Sequence, residues 1–395
     1  MKIAIVTSGF NLEKPGGVSN VVLKVAAALQ QISEIEVLSF ANEKTDSRSI
    51  QFFNPRTYRK LQPSRAVHGN IPVWHIGAAG SEFEFLRYRK RKELTTLFSS
   101  YDLILVVTGV LQLANVIPKV AVPVYVQCAT RLKWERKSQY SRMSLRRQLA
   151  LRSQTPFLAF QEHRVLRSKF RFLPENLIMH GWIKKRTKLE PLMWYPGIVA
   201  PLKYAVRSNP NFMKAPYISV GRFGDRRKGW ARLIEAYKIA YDTKGNLPGL
   251  ILIGWGQFDD LEESDLKELQ GQYPIKVYSN LSNAERDNLL IGSSIFLQAS
   301  FEEGLGLAAI EAISFGLPVL ASDTDGSREY VANGSNGFRV PQGKHFIEDF
   351  AKAIISTDNW NFQEMSHKSR EIFEEKFERR ISESNLLKIL QLPVT

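Results

Sequence analysis

The sequence predicts two α/β domains, each built around a doubly wound parallel sheet. Length is the first reason, since 395 residues exceed the roughly 250–300 at which a single hydrophobic core splits. The second is an alternation of short apolar runs with helical patterns, the rhythm of parallel strands joined by crossover helices. The third is that this rhythm pauses in a polar stretch through Asn209-Pro210 and restarts at Tyr217, which sets a boundary near Ala200. With 44% apolar and 24% charged residues and no repeat or low-complexity tract, disordered and fibrous classes are excluded.

In the first half, strands are expected at 2–7, 36–40, 73–76, 103–107 and 122–128. Segment 18–31 carries Val21, Val22, Val25, Ala28 and Leu29 at helical spacing behind Gly16-Gly17, with Ser19 or Asn20 placed to cap its start. From about 141 to 171 the pattern is helical and basic, with Leu145, Leu149, Leu151, Phe157 and Phe160 as scattered apolar positions and Pro156 expected to break it. In the second half, strands are expected at 217–220, 249–253, 275–278, 295–299 and 318–321. Helices fall at 230–241, 261–269, 283–291 and 307–314, and the tail reads as helices over 346–355 and 368–390.

The formal charge of +15 is unevenly placed. Between 131 and 190 stand 16 Lys or Arg against 4 Glu and no Asp, and Arg87-Tyr88-Arg89-Lys90-Arg91-Lys92 adds a second basic run. A solvated face mixes signs, so this excess points to an anionic partner of the first half. Anionic lipid headgroups are one candidate and nucleic acid another, and Arg combined with Leu and Phe suits a membrane interface; a core-facing helix with a basic outer side makes the same pattern. The single cysteine, Cys128, has no intramolecular partner and lies in an apolar run, which fits a reducing compartment. The opening Met1 to Val6 run is too short for a signal peptide, and nowhere do about 18 apolar residues run together. The expectation is a cytoplasmic chain, soluble or peripheral on the inner face of a membrane.

Two loops of the second half carry unusual polar residues. The first, Gly221-Arg222-Phe223-Gly224-Asp225-Arg226-Arg227-Lys228-Gly229, lies between a strand and a helix, where glycine turns, backbone N–H groups and cations together suit a diphosphate. A basic surface turn has the same composition. The second, Ser300-Phe301-Glu302-Glu303-Gly304-Leu305-Gly306, leads into an apolar helix containing Glu311. Glu303 and Glu311 face one cleft only if Glu303 stands at the helix start, about two turns away. A carboxylate on so apolar a helix costs desolvation unless it is bonded, and ribose hydroxyls would serve.

The run Glu303-Gly304-Leu305-Gly306-Leu307-Ala308-Ala309-Ile310-Glu311-Ala312, followed by Gly316-Leu317-Pro318-Val319-Leu320-Ala321-Ser322-Asp323, resembles the Glu-x7-Glu signature of retaining glycosyltransferase family 4, of GT-B fold. The likeness includes Val220-Gly221-Arg222 with Lys228-Gly229, Gly254-Trp255-Gly256, and Asn336-Gly337-Phe338-Arg339-Val340. The first half matches more loosely, through Gly16-Gly17-Val18-Ser19, segment 176–188 and Pro196-Gly197-Ile198. The resemblance implies two Rossmann-like domains facing a central cleft: 1–198 on the acceptor side, 199–375 binding the nucleotide sugar, and 376–395 packing back on the first.

It also implies roles. Arg222 and Lys228 would hold the donor diphosphate and stabilise the leaving phosphate. Glu303 would bind sugar hydroxyls and Glu311 the ribose, with Gly221 and the backbone of Gly304, Leu305, Gly306 and Leu307 near sugar and phosphate. Gly16 and Gly17 would let the first-domain backbone approach the phosphates. No metal and no cofactor is implied beyond a UDP-, GDP- or TDP-sugar as co-substrate. The acceptor would be a glycan or lipid-linked precursor of cell-surface polysaccharide, with an anionic membrane met through 131–190 and nucleic acid disfavoured as a partner. The chain departs from the family at Ala129, where many relatives carry a His; Gln127, Thr130 or Arg131 would substitute, or His75, His163 or His180 from elsewhere. Competing readings are glycosylation of protein or nucleic acid, a catalytically silent partner of another transferase, and a nucleotide-sugar epimerase of related fold.

Overall fold

The structure, a computed structural model, describes residues 1–10, 16–59, 61–134, 136, 144–201, 214–258 and 262–393. The polar stretch through Asn209-Pro210 and the expected helix starts at 141 and 261 lie outside them. The chain divides into two units, Met1–Pro196 with Ser382–Thr395, and Gly197–Ile381.

The first unit holds seven strands: β1 (Lys2–Ser8), β2 (Glu34–Phe40), β3 (Ser64–His68), β4 (Ile71–Ile76), β5 (Leu103–Val110), β6 (Val124–Thr130) and β7 (Arg171–Pro174). Their order is β3-β4-β2-β1-β5-β6-β7, parallel throughout except for the β3–β4 hairpin. β3 escapes a reading based on apolar runs because it is a polar, largely exposed edge strand. The helix Gly17–Leu29 starts earlier than expected. Gly16 is its N-cap, no side chain caps it, and Ser19 is buried within the first turn, so capping by Ser19 or Asn20 is corrected.

Pro156 does not break the basic segment. One helix, Leu145–Leu166, runs through it. The helix tolerates the lost backbone donor because the half that follows is anchored: Leu158, Gln161, Glu162, Val165 and Leu166 are buried and Phe157 stacks on Phe85 at 4.6 Å between ring centroids. At the other end of the chain, helix Arg379–Leu390 joins the first unit from Ser382 onward. Trp194 Nε1 donates to the Ser382 carbonyl at 3.1 Å, and Leu386, Leu387 and Leu390 are buried.

Glu175, directly after β7, is buried, and the Gln127 amide donates to it. Desolvation pushes its pKa up to about 8, so between the ordinary carboxylate range and about 8 the folded chain holds a proton that the unfolded chain has released. Stability from this group is therefore present in acid and lost as pH rises through that window. Glu175→Gln is expected to melt higher than the parent above about pH 8, with the two melting temperatures converging in acid.

The second unit is a six-stranded sheet of β8 (Tyr217–Val220), β9 (Leu250–Gly254), β10 (Ile275–Ser279), β11 (Phe296–Gln298), β12 (Val319–Ser322) and β13 (Gly337–Val340). All neighbours are parallel, in the order β10-β9-β8-β11-β12-β13. The tail forms helices Phe346–Ile355, Phe362–Lys376 and Arg379–Leu390. The last two part at Glu378, where the Ile198 N–H donates to the Phe377 carbonyl at 2.8 Å and the Arg379 N–H to the Ile198 carbonyl at 2.9 Å.

Candidate functional site

In the second sheet the order reverses between β8 and β11, and loops that follow the carboxyl ends of two such strands border a ligand crevice. The loop after β8 is the basic one. Its Asp225 caps the short 3-10 turn Arg226–Lys228 and receives Arg222 Nη2 at 2.8 Å and Arg227 Nη2 at 2.9 Å. Burial pushes the Asp225 carboxyl upward, but the Arg227 hydrogen bonds and the Arg227 and Arg222 charges outweigh it and hold it well below the usual carboxylate range. Asp225 thus organises the cations. Trp230 Nε1 donates to the Arg222 carbonyl at 2.9 Å, which fixes the start of the loop, and 37% of the Arg222 side chain stays exposed.

The loop after β11 brings Glu303 to the same place. Its Oε1 receives Lys228 Nζ at 2.7 Å, Ser300 Oγ at 2.7 Å and Gln298 Nε2 at 3.2 Å, in a residue only 8% exposed. The backbone ties the two loops as well, since the Phe301 N–H donates to the Arg227 carbonyl at 2.7 Å. A carboxylate bearing three donors on one oxygen is fixed in orientation.

Gln298 is held in turn by Tyr330, whose hydroxyl donates to Gln298 Oε1. Tyr330→Phe leaves that buried oxygen unpaired and frees the amide to turn away from Glu303. The expected cost is about 1–3 kcal/mol, read from chemical denaturation of the variant against the parent.

Gly306 is the N-cap of helix Leu307–Ser314, with φ +94°. A Cβ there would meet Tyr330 Oη at 2.8 Å, so glycine alone serves. The helix begins at Leu307, so Glu303 is placed by the loop before it and Glu311 by the helix itself, and helical spacing does not govern how the two are directed. Glu311, on the helix, meets Arg286 Nη1 at 3.5 Å. That partner, with Asp225, Gln298, Ser300 and Tyr330, was not singled out in the sequence. Only Gln298 carried a local signal, a polar residue within the apolar run 295–299.

In the first unit, Gly16 and Gly17 open the helix that follows β1, and a Cβ at Gly17 would meet nothing within 4 Å. At the end of β6, Arg131 Nη2 pairs with Glu162 at 2.8 Å and its guanidinium lies 4.0 Å from the Trp182 ring centroid. Gln127 is occupied by Glu175 and Asn176 Nδ2 donates to the Ala129 carbonyl at 2.9 Å. His75 faces His68 at 3.1 Å between Nε2 atoms, and His180 Nε2 lies 3.2 Å from the Pro191 carbonyl. Cys128 is buried. Among the described residues no cluster of three or more His, Cys, Asp or Glu has metal-binding geometry, and no helix is long and apolar enough to cross a membrane.

Comparison with known proteins places both loops. Residues 205–374 match the glycosyl transferases group 1 family. This segment contains both loops and their partners, Arg222, Asp225, Arg227, Lys228, Arg286, Gln298, Ser300, Glu303, Glu311 and Tyr330. A trehalose synthase from Pyrococcus horikoshii is 32% identical over 129 residues, 30% of this chain and 31% of the relative. The lipopolysaccharide core biosynthesis glycosyltransferase LpsE of Rhizobium meliloti is 29% identical over 181 residues, 45% of this chain and 50% of the relative. The chain spans a third or less of the length of the first curated relatives it matches. Among solved structures, Anabaena Alr3699/HepE in complex with UDP-glucose is similar with a TM-score of 0.64 and 16% identity, over 99% of this chain and 100% of that one. That likeness shows the fold, which is GT-B.

Proposed function

We propose that the protein is a retaining, metal-independent glycosyltransferase. It moves a sugar from a UDP-, GDP- or TDP-linked donor to a glycan or lipid-linked acceptor of cell-surface polysaccharide. The observation that carries this reading is the Lys228–Glu303 pair, 2.7 Å apart beside Arg222 at the β8/β11 reversal, inside the group 1 segment. Lys228 and Arg222 neutralise the diphosphate as it departs. The Glu303 carboxylate accepts from sugar hydroxyls, the backbone of Gly304 to Leu307 lies beside sugar and phosphate, and Glu311, paired with Arg286, takes the ribose. Gly221 opens the loop that brings Arg222 and Lys228 to the phosphates.

Front-face attack is the mode that the family resemblance implies, and the chemistry of Glu303 supports it. Three donors on one carboxylate oxygen lower its nucleophilicity, which disfavours a covalent sugar on that group. The bond from C1 to the donor phosphate breaks, the acceptor oxygen bonds C1 on the same face, and the acceptor proton passes to the departing phosphate oxygen. We assign the acceptor to the first unit, residues 1–198, and place the enzyme in the cytoplasm against the inner membrane face through residues 131–190. The name of LpsE supports a surface-glycan acceptor, and the ligand in the HepE structure supports a nucleotide-sugar donor.

The test is product analysis with labelled donors and a membrane lipid extract, the new linkage being read by NMR. A product with the anomeric configuration of the donor is expected. An inverted linkage, or an altered donor formed without acceptor, overturns the reading.

A further inference from the structure

The first unit carries apolar surface that its own core does not use. Helix Leu145–Leu166 buries one face, and at about 100° per residue Leu145, Leu149 and Phe160 stand on the opposite one, 77%, 66% and 61% exposed. A helix of a globular protein turns such residues inward. The apolar surface continues off the helix: Phe157 stacks on Phe85 at 4.6 Å, Phe85 meets Phe83 at 5.9 Å, and Phe83 meets Phe53 at 6.0 Å. Phe53, at the far end of this row, is 80% exposed.

The charge around this ridge has one sign. The exposed helix positions include Arg146, Arg147, Arg152 and Arg164, with Arg167 at the C-cap, and the Arg164 guanidinium lies 5.8 Å from the Phe160 ring centroid. The two acids beside the aromatic row are turned away from solvent. Glu84 pairs with the buried Arg136, while Glu82 accepts from the Phe53 N–H at 2.9 Å and has its other oxygen buried.

We propose that this leucine and phenylalanine ridge seats the protein on an anionic lipid bilayer. Apolar side chains enter the boundary between headgroups and acyl chains, and the arginines meet the phosphates. A second copy would bring arginine against arginine, which disfavours a dimer through this face. Single-stranded nucleic acid would use the rings and arginines but gains nothing from Leu145 and Leu149. This rests on the membrane placement proposed above and names the residues that make it; none of them belongs to the donor site, so loss of vesicle binding and loss of sugar transfer are read separately.

The experiment is sedimentation of the full chain with phosphatidylcholine vesicles and with vesicles containing phosphatidylglycerol, at low and high salt. The parent is expected to partition to the anionic vesicles and to lose binding as salt rises. Leu145→Gln, Leu149→Gln and Phe160→Gln together, all exposed and helix-compatible, are expected to lower that partition about tenfold or more with unchanged near-UV circular dichroism. Absence of binding to anionic vesicles overturns the proposal. So does a triple variant that binds like the parent, or binding to single-stranded RNA alone. Phe53→Ser, outside the helix, repeats the test independently of helix folding: a several-fold loss supports the ridge, and undiminished partition contradicts it.

Discussion

Replacing Lys228 with Ala is expected to lower turnover about 10²–10³-fold, the scale of losing one preorganised charge aimed at a developing anion. Two effects combine. The ammonium that would balance the departing diphosphate is gone, and Glu303 loses the strongest of the three donors on its Oε1. Because Glu303 is nearly buried, leaving its charge with only the neutral donors Ser300 and Gln298 also costs about 1–3 kcal/mol of stability. Single-turnover kinetics at saturating donor, with a melting curve for each protein, separates the two. Lys228→Ala with near-parent turnover would remove Lys228 from the chemistry, whatever its effect on stability.

Gly229→Ala is expected to cost about 3 kcal/mol, combining the left-handed backbone with a steric clash. Gly229 has φ +67°, and a Cβ there would lie 2.2 Å from the Ala299 carbonyl oxygen. Neither partner yields readily. Arg232 Nε donates to that same oxygen at 2.5 Å, and its guanidinium is sandwiched between Phe301 and Phe346, 3.7 and 3.9 Å from the ring centroids. Relief of the clash must therefore push the loop after β8 away from the loop after β11, parting Lys228 from Glu303. The expected result is a lower denaturation midpoint together with weaker donor binding. A variant as stable as the parent would mean that the two loops are not held against each other.

The second unit was the more legible half. Helices Asn283–Ile291 and Leu307–Ser314 coincide with the expected ranges because each has an apolar period bounded by a cap or a glycine. β13 was seen only as a motif, since four residues beginning with Gly337 make no apolar run. In the first unit β3 is not legible because an edge strand has one unpaired side and need not be apolar, and β7 because its four residues, though buried, make too short a run. Pro156 misled because local propensity was overridden by packing of the residues after it. At the candidate site the two loops stand out by their polar residues and glycines, and the family resemblance selects Arg222, Lys228, Glu303 and Glu311 within them and the helix that follows. Their partners Asp225, Arg286 and Tyr330 are not selected, because each is an ordinary polar residue whose place is set only when distant loops meet.

The most direct test of the donor site is thermal stabilisation by UDP-, GDP-, ADP- and TDP-sugars of the parent, Glu311→Ala and Lys228→Ala. A ligand of the folded state alone adds RT ln(1 + [L]/Kd), about 2.7 kcal/mol at a hundredfold excess over Kd. The account predicts that one nucleotide class raises the melting temperature of the parent and fails to raise that of either variant. Equal stabilisation of all three proteins, or of none by any donor, would contradict a nucleotide-sugar site at Lys228, Glu303 and Glu311.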